Sequence, residues 1–126
     1  MQVRDADRKD ERTAVLSMAT ANAATRLELT TSDLERILGI SQPSASRLMR
    51  GAFLLKEGGK PWEMALLLVR LYRGLASIVG NDDLLAVRWL RSPNRAFDDA
   101  TPYDRIQSAT GLVATCDYID AHRAIT

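Results

Sequence analysis

Residues 30–51 read TTSDLERILGISQPSASRLMRG, and their spacing predicts two short helices joined at a glycine. Leu34, Ile37 and Leu38 recur at helical spacing and stop at Gly39, the residue best suited to a left-handed position after a helix. Two capping frames compete at the start, Thr30 with Asp33 and Ser32 with Glu35, and the sequence leaves both open. A second helix is expected over Gln42–Arg50. Ser41 is its natural cap, and Pro43 is tolerated in a first turn whose N–H groups have no helical partner. Ala45, Leu48 and Met49 then face inward, and Gly51 ends the helix. Two helices joined by a short glycine-containing turn, the second with a polar outer face, have the pattern of a helix-turn-helix.

Gln42, Ser44, Ser46, Arg47 and Arg50 make up that outer face. The amide and hydroxyls can hydrogen-bond base edges or phosphates, Arg47 can bind a guanine edge bidentately, and Arg50, Lys56 and Lys60 suit phosphates. These five residues are the candidate DNA-binding set, and the bland alternative is a solvated helix face. Residues 31–60 carry five basic and three acidic side chains, whereas from Pro61 onward there are seven basic and eight acidic. With a net charge of +1, no overall basicity points to nucleic acid.

Upstream, Thr13–Leu29 spaces Val15, Leu16, Met18, Ala19, Ala23, Leu27 and Leu29 mostly by three and four, as an amphipathic helix. Residues 1–12 alternate acids and bases with hardly an apolar side chain and are expected to be a disordered arm, not a leader peptide. Downstream, 52–60 is a connector. Its Gly58-Gly59-Lys60 lacks the spacing and the preceding strand of a phosphate-binding loop. Residues 13–60 are therefore the expected helix-turn-helix domain.

Pro61–Val79 is the most apolar helix, opened by proline and followed by Gly80. Met64 to Val69 leaves almost no polar face, so burial on all sides is expected, one side in the core and the other against a second copy. A twofold homodimer also suits two half-sites on DNA. That run is far shorter than the 20 or so apolar residues a membrane span needs, and no membrane partner is expected. Asn81 should cap a short helix over Asp82–Arg91. Residues 61–80 thus form a central core and dimer helix, and 81–126 a small C-terminal domain.

Residues 89–111, WLRSPNRAFDDATPYDRIQSATG, are dense with stops and starts. Ser92-Pro93-Asn94 breaks one helix and Thr101-Pro102 begins another. Ser108 is placed to cap the last helix, Ala109–His122, with Leu112, Val113, Cys116 and Ile119 on its inner stripe and Tyr118 beside it. No strand pattern and no internal repeat emerge, so the fold class is all-α.

The chemistry-bearing residues are sparse. One cysteine rules out an intrachain disulfide and suits a reducing cytoplasm. One histidine with no cysteine or acidic cluster at ligand spacing makes a poor metal site, and it cannot serve a catalytic constellation. No catalytic residues, metal ligands or cofactor are expected, and the chain is not read as an enzyme.

Leu34, Leu38-Gly39-Ile40-Ser41, Ala45, Ser46-Arg47-Leu48 and Gly51 resemble the Xre-type helix-turn-helix. Glu35 departs from that family's usual alanine, and Ala45 from its larger aliphatic. Trp89-Leu90, Pro93-Asn94, Phe97, Thr101-Pro102, Ile106, Ser108, Gly111 and Val113 resemble the toxin-binding C-terminal domain of the Xre/MbcA/ParS antitoxins. Together the two resemblances span about Leu29 to Arg123, and the chain end lacks the glycine that often follows the family's last helix. The resemblance implies an antitoxin that neutralises a cognate toxin, most often a RES-fold enzyme acting on NAD⁺, and represses its own operon. It also implies that the C-terminal segment covers the toxin's active-site cleft.

Toxin contact is assigned to Asn94, Arg95, Tyr118, His122 and Arg123. Asn94 also reads as a bond to loop backbone, and the others are residue types that recur at binding hot spots or sit as ordinary exposed residues. The alternative function is a stand-alone helix-turn-helix regulator whose C-terminal half dimerises or senses a ligand.

Overall fold

The computed structural model describes residues 5–125 and is built from helices and turns throughout those residues. Helix α1 spans Asp5–Arg26, α2 Thr31–Leu38, α3 Gln42–Met49, α4 Lys60–Ile78, α5 Asp83–Leu90, α6 Pro102–Arg105 and α7 Ala109–Ile125. A single 3-10 turn, Arg95–Phe97, lies between α5 and α6. The disordered arm expected over residues 1–12 is helical from Asp5 onward, as an extension of α1. Its first four residues lie outside the described residues, as does Thr126 at the end of the tail.

Local chemistry sets most boundaries. Of the two capping frames for α2, Thr30 prevails. Its hydroxyl accepts from Asp33 N at 3.1 Å while the Asp33 carboxylate accepts from Thr30 N at 2.8 Å. Gly39 ends α2 in the left-handed region at φ 70°. The Ser41 hydroxyl caps α3 by accepting from Ser44 N, and Thr101 caps α6 in the same way, accepting from Asp104 N. The cap of α5 is Asp82, not Asn81. Asn81 instead takes a left-handed φ of 62° and donates to Ala76 O, closing off the end of α4, which leaves the next carboxylate to receive the N–H groups of Leu84 and Leu85.

Helix α4 is the spine. It packs along α7 on one side and α1 on another, and it also touches α2 and α5. Ala65, Leu68, Leu71 and Leu75 are buried along it, facing Leu27, Leu34, Leu90, Leu112 and Ile119 in the core. Each such leucine contributes about 1.5–3 kcal/mol. The two helices come close at Gly74, where a Cβ would meet Ile119 Cγ2 at 2.6 Å. Any larger residue there pushes α7 away from α4. Helix α7 is thus a core element and not a detachable tail.

Two inner faces differ from the sequence reading. Val15 and Met18 of α1 are exposed, while Thr13, Ser17 and Thr20 are buried beside Leu16, Ala23, Ala24 and Leu27. Hydroxyls make that possible: Thr20 donates to Leu16 O, and Ser17 accepts from Leu55 N at 2.9 Å. On α7 Thr115 is buried beside Leu112, Cys116 and Ile119, donating to Gly111 O, and Val113 points outward. In α4 the expected burial on all sides is incomplete, because Leu66 is open within one chain.

Candidate nucleic-acid and partner surfaces

Ala45 and Leu48 of α3 are buried against Leu34 and Leu38 of α2, so the pair packs through small and branched apolar groups. The methyl of Ala45 is fully covered, which lets the two short helices come close despite the missing aliphatic bulk. The opposite face of α3 carries the five candidate DNA residues. Gln42, Arg47 and Arg50 are exposed, and Ser44 and Ser46 are half-buried. The hydroxyls are partly committed inside the helix: Ser41 donates to Ser44 at 3.0 Å, Arg47 Nη2 reaches Ser44 at 3.4 Å, and Arg50 Nη1 donates to Ser46 at 3.2 Å. The Arg47 guanidinium also sits 6.0 Å from the Phe53 ring. These contacts hold both arginines along α3 with their charge in solvent. A convex helix bearing an amide and two guanidinium groups can enter a groove and meet base edges and phosphates. Lys56, after α3 in the chain, and Lys60, at the start of α4, are exposed as well.

The second surface forms where α7 meets the 3-10 turn. Tyr118 lies among three rings: Trp89 stacked at 6.2 Å, Phe97 tilted at 5.2 Å and His122 tilted at 4.1 Å. His122 Nδ1 lies 3.0 Å from Tyr118 O. Arg95, in the turn next to Phe97, is exposed. Tyr118 and His122 thus form an aromatic corner with Trp89 and Phe97, a surface suited to a protein partner, and Arg95 is exposed two residues before Phe97 in the chain.

The other two expected contacts fall elsewhere. The Asn94 side chain accepts from Ala96 N at 2.9 Å, and its carbonyl receives Phe97 N and Asp99 N, so this residue holds the turn together. Arg123 is turned a quarter of the way round α7, toward Gly74 of α4 and a groove beside α1.

Sequence reasoning missed the polar joint between the two surfaces. Asp33 of α2 is fully buried, and it accepts from Tyr103, from Thr30 N and from Arg36 at 2.9 Å. Burial alone would push this carboxyl up. The hydrogen bonds from Tyr103 and Thr30 and the charge of Arg36 outweigh that and hold it below the ordinary carboxylate value. Donating to Asp33, and then burial, pushes the Tyr103 phenol up. Arg91 lies 3.7 Å over the Tyr103 ring and donates to Glu28 O, while Arg36 Nε donates to Gln107 at 2.8 Å. Tyr103, Gln107 and Arg91 are far from their partners in sequence, so no local spacing announced those contacts.

Arg105 is a further unforeseen residue. It donates to Phe97 O at 2.9 Å, and its Nε is buried without a partner among the described residues. Cys116, expected in the core, is there: its thiol donates to Leu67 O, and burial pushes it up to about 11. No cluster of metal-ligating side chains occurs among the described residues, and no helix among them is long and apolar enough to cross a membrane.

Residues 5–70 match the family model of the antitoxin Xre-like helix-turn-helix domain, and residues 75–124 match that of the antitoxin Xre/MbcA/ParS C-terminal toxin-binding domain. The first match takes in all of α1 and most of α4. No curated protein matches the chain.

Proposed function

The chain belongs to the Xre-like antitoxins, and from that premise we propose that it neutralises a RES-fold, NAD⁺-consuming toxin by covering the toxin's active-site cleft. Two matched domains in one polypeptide, one of a DNA-binding type and one toxin-binding by family, carry this reading. The toxin meets Arg95 and the aromatic corner of Tyr118 and His122, and the end of α7 projects beyond it into the cleft. Occlusion needs no chemistry from the antitoxin.

The same protein represses its own operon as a cytoplasmic homodimer. Gln42, Arg47 and Arg50 reach operator bases and phosphates, with Ser44 and Ser46 steadying the two arginines. Direct bonds from α2 to the C-terminal domain, through Asp33–Tyr103 and Arg36–Gln107, support a rigid link between the DNA face and the toxin face.

Co-expression with the adjacent reading frame tests the neutralisation. Growth arrest caused by that frame alone and relieved by this chain is the expected outcome. Arrest that persists with both proteins soluble and unassociated contradicts the proposal, and tight promoter binding in that case favours the stand-alone regulator.

A further inference from the structure

Four large apolar side chains that the folded chain leaves open lie around one helix. Val15 is 64% and Met18 73% exposed on α1, Leu66 is 49% exposed on α4, and Leu54 is 54% exposed after α3. Val15 and Leu66 line an open groove of about 600 Å³ between α1 and α4, floored by Leu16, Ala19, Trp62 and Val69. Met18 and Leu54 line another of about 470 Å³ on the α3 side of α1. Helix α1 therefore stands as an apolar ridge with a groove on either side. Apolar surface gathered in this way marks an interaction site.

Charge on the rim of the first groove narrows the occupant. Glu11, Arg12, Arg70, Arg73 and Arg123 surround it. Arg12 is paired with Glu57, Arg70 with Asp120, and Arg123 is packed against α4 beside Gly74. Glu11 and Arg73 are left with no ion-pair partner among the described residues, one negative and one positive charge per chain. A partner of uniform charge satisfies one and opposes the other. A second copy of this chain satisfies both, because a twofold axis brings each group opposite its complement. A ridge beside a groove on one face meets the same requirement in shape.

We propose that this face is the homodimer contact. The α1 ridge of one chain seats in the α1–α4 groove of its partner, and Glu11 faces the partner's Arg73 twice across the axis. The inference rests on the homodimer reading above and gives it a surface. It also explains why Val15, Met18 and Leu66 are apolar although the single chain leaves them open.

Sedimentation velocity on the full chain, over a range of concentrations, tests the contact. The wild type is expected to be a dimer. Glu11→Arg or Arg73→Glu alone places like charges together twice and weakens association about tenfold or more. Both substitutions in one chain restore the dimer, since each pair is rebuilt with its signs exchanged. Leu66→Lys and Val15→Lys, on opposite walls of the groove, both give monomers of unchanged helix content. A monomeric wild type, a dimer indifferent to both lysine variants, or a double swap no better than its parents overturns the proposal. So does a Leu66→Lys dimer that has lost toxin affinity, because the groove then belongs to the toxin. Failed growth rescue with the dimer intact counts against neutralisation alone.

Discussion

Tyr103 in α6 donates its phenolic hydrogen bond to the buried carboxylate of Asp33 in α2. The bond ties the short helix ahead of α7 to the first helix of the helix-turn-helix. Arg91 covers the Tyr103 ring, and Arg36 bonds both Asp33 and Gln107, so the joint is a network. Buried networks of this kind rigidify when every member is satisfied and cost most when one is removed.

Tyr103→Phe should destabilise the fold by about 1–3 kcal/mol, the cost of taking a donor from a buried carboxylate. Urea unfolding at neutral pH measures it. The pH dependence has a definite sign. Asp33 lies below its ordinary value in the folded chain, so its stabilisation is present above about pH 3.9 and is lost as pH falls through the folded value. The gap between wild type and variant should therefore narrow on acidification below about pH 4. A gap that is absent at neutral pH, or that widens in acid, contradicts this role for the pair.

Gly111→Ala should be worse than most surface changes in α7. A Cβ there would lie 1.8 Å from the Arg105 carbonyl oxygen, a backbone atom that cannot swing aside. The turn before α7 must shift, at a cost of about 1–3 kcal/mol or more. Thermal melting of the full chain should show a clear drop, and an unchanged midpoint would mean that the turn has slack the geometry does not suggest.

Cys116 should resist alkylation in the folded protein. Burial raises its thiol to about 11, so at pH 8 it carries on the order of a hundredfold less thiolate than an ordinary cysteine. Urea should restore the rate. Equal rates in native and unfolded protein would place the thiol in solvent.

Arg47→Ala should weaken binding to the chain's own promoter by about 1–3 kcal/mol and relax preference at one base position. Arg50→Ala should weaken binding across sequences alike and lower the salt slope by about one. Fluorescence anisotropy against promoter and scrambled duplexes separates the two. Unchanged binding by both variants makes α3 a solvated face.

The sequence read well wherever one residue has one local job. Ser41 and Thr101 cap, Gly39 stops, and Pro61 and Pro102 open helices, because each acts on backbone within four residues of itself; at α2 two capping frames were open and the fold takes Thr30. The phase of α1 was harder. Thr13, Ser17 and Thr20 look polar on paper, yet they are buried once backbone groups bond their hydroxyls, and that left Val15 and Met18 outside. Asn94 was partly legible, since a bond to loop backbone stood beside toxin contact in the sequence and the folded turn makes that bond to Ala96 N. The Asp33–Tyr103 joint and the placement of Arg123 depend on helices meeting across the fold, and no spacing along the chain encodes them.

Neutralisation by a direct complex is measured by the affinity of the purified chain for the product of its adjacent gene. Calorimetry on wild type and on Arg95→Glu/His122→Glu, two exposed changes on the proposed toxin face, gives the answer. A tight wild-type complex is expected, with binding weakened by at least about 2 kcal/mol, roughly thirtyfold in Kd, in the double variant. Toxin activity should return in step. An unchanged Kd with the toxin still silenced, or no wild-type complex at all, would contradict neutralisation through this face.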